Sequence, residues 1–320
     1  MRRWILLFVI LVVPFVAGFA FVQSLPDVDI LQTHFPRVSY HEREDGSVHV
    51  ETRFERSRPP SWTDLSSIPG WVQGAVITSE DWAFFQHDGF DFNQIREAVE
   101  EKVDGNGKLR GASTLSQQLV KNLFLGQERS WSRKISEAWL THRLESEFKK
   151  KKILEFYLNV VEWGRGVVGI RQAARHYFGK TPSALDPREA AYLAYLLPSP
   201  RRYSRGFRQG QLSAFAHRQI MRNLERMKQA AYITDVQYEY FSRERLAFEG
   251  TQFDESLEAE VPGEETTDTD ADLGRPSFAP SSDPLVNEAG SEDSLEPPVL
   301  IAPETIEEEA PLDVSSPSSL

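Results

Sequence analysis

The chain has no cysteine among its 320 residues. That excludes disulfides, Cys-ligated zinc and thiol nucleophiles, and is compatible with an oxidising compartment. Strand-like runs are few. No strand leads into the glycines at 164, 166 and 169, so their spacing is not a nucleotide fingerprint. Basic residues almost vanish after residue 250: Thr251 to Leu320 holds 19 Asp and Glu against the single Arg275. The same stretch carries nine of the 19 prolines and few aromatics. Such a composition cannot build a core and predicts a disordered acidic tail over 251–320. The net charge of −12 therefore belongs to the tail, since the other 250 residues hold 35 Lys and Arg against 29 Asp and Glu. A mildly basic body suits an anionic partner: nucleic acid, phospholipid head groups or a phosphorylated substrate.

What is present begins with an apolar run. Arg2 and Arg3 precede uncharged residues from Trp4 to Val22. At about 1.5 Å per residue that run spans roughly 28 Å, close to the hydrocarbon core of a bilayer. With Asp27 and Asp29 after it, the pattern predicts a cytoplasmic stub at 1–3, a transmembrane anchor at 4–22 and the rest of the chain outside. A cleaved signal peptide is the rival, because Gly18-Phe19-Ala20 is a small-x-small site. The run continues past that site, which favours a retained anchor. Residues 23–61 read as a linker with a small β element, since Val48 to Phe54 alternates in character after the Asp45-Gly46 turn.

Residues 62–250 read as a mainly α-helical body. Phe92 to Val103 has helical spacing, and Asp104 to Lys108 is a loop. From Leu115 onward, Leu115, Leu119 and Leu123 share one helix face, while Thr114, Gln118 and Lys121 share another. Arg133 and Glu137 are four apart on one face, which suits an ordinary surface ion pair or an acid set among cations. Lys149 to Lys152 is a run of lysines, a solvated face or an attractor of anionic lipid. Glu189 to Ala194 is an apolar helix stopped by Pro198 and Pro200. Residues 204–248 read as two further helices.

The stretch Glu80-Asp81-Trp82-Ala83-Phe84-Phe85-Gln86-His87-Asp88-Gly89-Phe90-Asp91 concentrates carboxylates, a histidine and phenylalanines. Glu80 follows the apolar run Ala75 to Ser79. A carboxylate at the end of a buried segment is placed for proton transfer; a charged helix end facing water is the plainer reading.

Taken in order, these blocks resemble the peptidoglycan glycosyltransferases of glycosyltransferase family 51. The resemblance covers roughly residues 62–205. It rests on Glu80-Asp81-x-x-Phe84-x-x-His87-x-Gly89-x-Asp91, on Gly111-x-Ser113-Thr114-x-x-Gln117-Gln118-x-x-Lys121-Asn122, and on Arg133-Lys134-x-x-Glu137 continuing to Glu145. Tyr157-Leu158-Asn159 with Tyr177-Phe178-Gly179-Lys180, and Glu189-Ala190 with Pro198, Pro200 and Tyr203, complete it. Ala112 and Thr141 stand where Gly and Ala are expected.

The resemblance implies a lysozyme-like helical fold and polymerisation of lipid II into β-1,4-linked glycan strands. It implies Glu80 as general base, with Glu137 as the second catalytic residue, holding the cations in place or ligating the metal. Asp81, Phe84, His87, Ser113, Thr114, Gln118, Lys121, Arg129, Arg133 and Lys134 become substrate-binding residues. A divalent cation, Mg2+ or Mn2+, acts in some family members, with Glu137 as its candidate ligand. The implied partners are lipid II, the growing lipid-linked chain, membrane lipids and cell-wall synthesis or division proteins, not nucleic acid. The implied location is the inner, cytoplasmic membrane, with the body on its periplasmic face. The Ser-x-x-Lys and Lys-Thr-Gly pair of a transpeptidase is not present, and Lys180-Thr181-Pro182 departs from its second member, so a monofunctional enzyme is expected. The alternatives are a lytic transglycosylase, which needs an acid rather than a pyrophosphate clamp, and a non-catalytic lipid II-binding scaffold.

Overall fold

A computed structural model describes residues 2–43, 48–103, 113–126 and 130–250. The expected loop at 104–108 and the expected acidic tail lie outside them. A first helix, α1 (Arg2–Gln23), leads to a hairpin of β1 (Phe35–Glu42) and β2 (Val48–Glu55). Seven helices of the body follow: α2 (Gly70–Glu80), α3 (Phe92–Val103), α4 (Leu115–Phe124), α5 (Trp131–Glu147), α6 (Lys150–Val160), α7 (Ile170–Phe178) and α8 (Pro187–Leu196). A two-stranded ribbon, β3 (Glu162–Gly164) and β4 (Val167–Val168), sits between α6 and α7. Short helices α9 (Pro200–Tyr203) and α10 (Arg205–Gln209) lead to α11 (Ala214–Gln229) and α12 (Asp235–Phe241).

The expected anchor falls within α1. Among the described residues, no helix is long and apolar enough to cross a membrane.

α8 forms the centre of the body. All ten of its residues are buried, the apolar run from Ala190 to Leu196 together with the charged Arg188 and Glu189 at its start. Its start is set by Asp186, which accepts the Glu189 N–H while Glu189 reaches back to the Asp186 N–H, and by Pro187 at the first turn. α2 and α11 pack against it. Arg188, buried on α8, donates to the Phe241 and Ser242 carbonyls and so ties the end of α12 to the core.

Three departures from expectation matter. Residues 23–61 are more than a spacer. Val28, Leu31 and Val38 are buried in the core, Tyr40 donates to the Val160 carbonyl at 3.1 Å, and Phe54 stacks on Phe124. Residues 162–168 form a ribbon, so a short strand does lead into these glycines, and Gly166 turns it with φ of 74°. Three helices, α10, α11 and α12, rather than two, occupy residues 204–248.

Gly169 enters α7 with φ of 79° and ψ of 153°, a region open to glycine alone. A Cβ there would lie 2.6 Å from the Asn159 carbonyl oxygen. Asn159 in turn holds Thr63 on both its N–H and its carbonyl. Gly169→Ala is expected to cost about 2–3 kcal/mol in urea unfolding of the full chain.

Candidate active site

The apolar pattern before Glu80 does what it predicts. Gly74 to Ser79 are buried, and α2 ends at Glu80, whose side chain is half-buried. Gln118, on α4, donates from Nε2 to Glu80 Oε2 at 3.2 Å. The other end of that amide accepts from the Tyr157 hydroxyl at 3.0 Å. Three elements thus meet at one carboxylate.

Asp81 follows, with its side chain fully enclosed. Its Oδ2 accepts the Leu115 N–H at 2.9 Å, at the first turn of α4. The Gly89 N–H donates to His87 Nδ1 at 3.1 Å, so the ring proton resides on Nε2, which donates to Asp81 Oδ1 at 2.8 Å. Thr114 caps α4 by accepting the Gln117 N–H, and its hydroxyl donates to the Gly89 carbonyl at 2.7 Å. Phe84 is fully buried, with the Lys150 ammonium 4.6 Å over its ring. Asp81, Phe84, His87 and Thr114 thus make contacts with one another and with backbone that hold the loop 81–91. Gln118, Lys121 and Ser113 remain half-buried, and Asp88 is exposed.

The cationic side rests on α5. Ser130 caps it by accepting the Arg133 N–H. Arg133 Nη1 donates to Glu137 Oε2 at 3.1 Å, and Lys134 Nζ bonds Glu137 Oε1. Glu137 is buried, Arg133 is largely buried beside it and half of Lys134 is exposed, so the acid is an internal anchor for both cations. Lys121 joins the two sides. Burial pushes its ammonium below the ordinary range; Glu137 opposes that, Arg133 and Lys134 add to it, and Glu80 opposes it further. Arg129 lies outside the described residues.

Both Glu137 oxygens are engaged by cations, and among the described residues no group of three His, Asp or Glu is arranged to hold a metal. A Ser-x-x-Lys spacing does occur at Ser146 to Lys149. Ser146 Oγ donates to the Arg143 carbonyl at the end of α5, far in role from a nucleophile.

Two residues outside the expected set prove central. Glu145 accepts from Ser116 and from Lys150, and its Cγ would lie 3.0 Å from a Cβ at Gly89. Tyr157 is fully buried. The signal for it was available: a tyrosine on the apolar face of a helix needs a partner for its hydroxyl.

The family model described as Transglycosylase matches residues 46–228. The chain belongs to the transglycosylase family. Among curated relatives, proteins named biosynthetic peptidoglycan transglycosylase are similar to it. The one from Chromohalobacter salexigens is 49% identical over 143 residues, covering 45% of this chain and 61% of the relative. The one from Aromatoleum aromaticum is 43% identical over 175 residues, covering 55% of this chain and 74% of the relative. The one from Azoarcus sp. is 46% identical over 147 residues, covering 46% and 64%. The chain therefore spans about two thirds of the length of the relatives it matches.

In this transglycosylase the Asp81 carboxylate serves two buried donors. Asparagine has one acceptor oxygen and cannot serve both. Asp81→Asn is expected to lose about 1–3 kcal/mol of stability, read by thermal or denaturant unfolding.

Proposed function

We propose that the chain is a peptidoglycan glycosyltransferase that polymerises lipid II into β-1,4-linked glycan strands. The observation that carries the reading is Lys121, a half-buried cation that feels Glu80 on one side and the Glu137-anchored cations on the other. A polymerase needs that combination. The acceptor 4-hydroxyl must lose a proton, and the donor must release a pyrophosphate whose charge grows as its bond breaks.

In the proposed reaction Glu80 takes the proton from the acceptor hydroxyl. The freed oxygen forms a bond to the donor anomeric carbon with inversion. The bond from that carbon to the pyrophosphate breaks, and the electron pair leaves with the lipid pyrophosphate. Lys121, Arg133 and Lys134 stabilise the departing charge, and Arg129 belongs to the same cationic set by sequence. Glu137 holds Arg133 and Lys134 in place and takes no part in bond making. Gln118 orients Glu80, and Ser113 is placed on the entry to α4 for a sugar or phosphate oxygen. A lytic enzyme would need a proton donor to the glycosidic oxygen and has no use for this clamp. The word biosynthetic in the relatives' names also favours polymerisation.

The proposal includes a membrane site. The apolar run 4–22 would anchor the N-terminus with the body on the outer face, where lipid-linked sugars lie. Trp131, Ile135 and Trp139 support it: they are exposed at i, i+4 spacing on α5, the helix that carries Arg133 and Glu137, and Trp131 is 88% exposed.

Purified full chain with labelled lipid II is expected to give glycan polymer, and Glu80→Gln is expected to reduce the rate by about 100-fold or more while its circular dichroism stays native. Full activity in that variant would remove Glu80 from the mechanism. Lys121→Met separates function from stability. The unfolded chain holds the Lys121 proton more tightly than the folded chain, so the charged form costs stability at neutral pH, and the cost fades as pH rises toward the ordinary lysine range. The variant is therefore expected to melt a few degrees higher at pH 7 in scanning calorimetry, yet to polymerise poorly.

A further inference from the structure

The Gln118 amide can sit in its slot in two orientations, and only one serves a base. In the first, Tyr157 donates its hydroxyl proton to Gln118 Oε1, and Gln118 Nε2 donates to Glu80 Oε2. In the second, the amide is flipped. Its nitrogen donates to the phenol oxygen and its carbonyl faces Glu80, which must then carry a proton. The two orientations correspond to an ionised and a protonated Glu80.

Tyr157 distinguishes them. It is fully buried, and Gln118 Oε1 is the acceptor for its hydroxyl among the described residues. In the flipped orientation the phenol proton would be enclosed with no acceptor, at a cost comparable to a lost buried hydrogen bond. We propose that Tyr157 is a positioning residue that locks the Gln118 amide with its nitrogen toward Glu80 and thereby holds Glu80 in its proton-accepting form. Burial, reinforced by Glu80, Tyr40 and Asp81, raises the Tyr157 hydroxyl well above its ordinary range, so it stays a donor throughout the working pH range. The inference rests on the reading of Glu80 as a base, but its test does not depend on turnover.

The other charged groups around Glu80 are Asp81 beside it, Lys121 from α4, and Arg226 from α11, which bonds the Thr78 carbonyl. Tyr157→Phe removes only the phenol oxygen and leaves all of these groups in the chain.

The test is a carboxyl titration of the full chain in detergent, labelled with 13C at glutamate Cδ, with the Glu80 signal assigned by its loss in Glu80→Gln. Tyr157→Phe is expected to move the Glu80 midpoint upward by about one pH unit. Gln118→Leu is expected to move it in the same direction. Tyr157→Phe added to Gln118→Leu is expected to move it no further, because the amide it orients is gone. An unchanged midpoint in either single variant overturns the inference. So does a full additional shift in the double variant, which would mean that Tyr157 acts by packing alone. Lipid II polymerisation by the unmodified chain is measured in parallel. Its absence would defeat the proposed function, while the titration would still decide the role of Tyr157.

Discussion

The Asp81 carboxylate, shut away from water, accepts one hydrogen bond at each oxygen: His87 on one side and the Leu115 backbone on the other. A buried carboxylate left with a free oxygen would be costly, so both donors must stay in place. One donor lies on the loop after α2 and the other at the start of α4. The end of α2, the loop 81–91 and the first turn of α4 therefore behave as one block. Thr114 adds a bond from α4 to Gly89, and Glu145 presses on Gly89 from α5. Glu80 is the residue before Asp81 and inherits that rigidity, while its own carboxylate accepts from Gln118.

The cationic side follows the opposite logic. Arg133 and Lys134 would repel each other and Lys121, and a buried acid among them offsets that repulsion. The residual strain falls on Lys121, which carries its charge in a place that disfavours it. Such local cost is common where a group must meet a charge that forms only during reaction. The same anchoring gives each Glu137 oxygen one cationic partner.

Much of this was legible in the chain. The leucines of α4 lie on one buried face as their spacing predicts, α3 runs from Phe92 to Val103 as read, and Glu80 sits at the end of a buried run. What could not be read was which polar residues of one motif face inward. Asp81, His87 and Glu80 are alike in polarity, and their burial is decided by Thr114 and Leu115, about thirty residues away in the chain. The ribbon β3–β4 is too short to show a period of two. The core residues Val28, Leu31 and Val38 are scattered singly through a polar segment, so local pattern gave them no weight. Of the lysine run, Lys150 and Lys152 turn inward to Glu145 and Glu155, which leaves Lys149 and Lys151 in solvent.

The hairpin has a consequence for the order of folding. Every helix ends with carbonyls that have no partner within the helix. In α4 one of these is Asn122, and the Thr52 hydroxyl donates to it; in α6 one is Val160, and the Tyr40 hydroxyl donates to it. The hairpin thus finishes two helices that follow it by 70 and 120 residues. Neither helix end is fully satisfied until that early segment docks, and the hairpin cannot dock until both helices exist. Closing loops of that length makes this a late, non-local step. The part of the body that comes first in the chain is among the last to reach its final place.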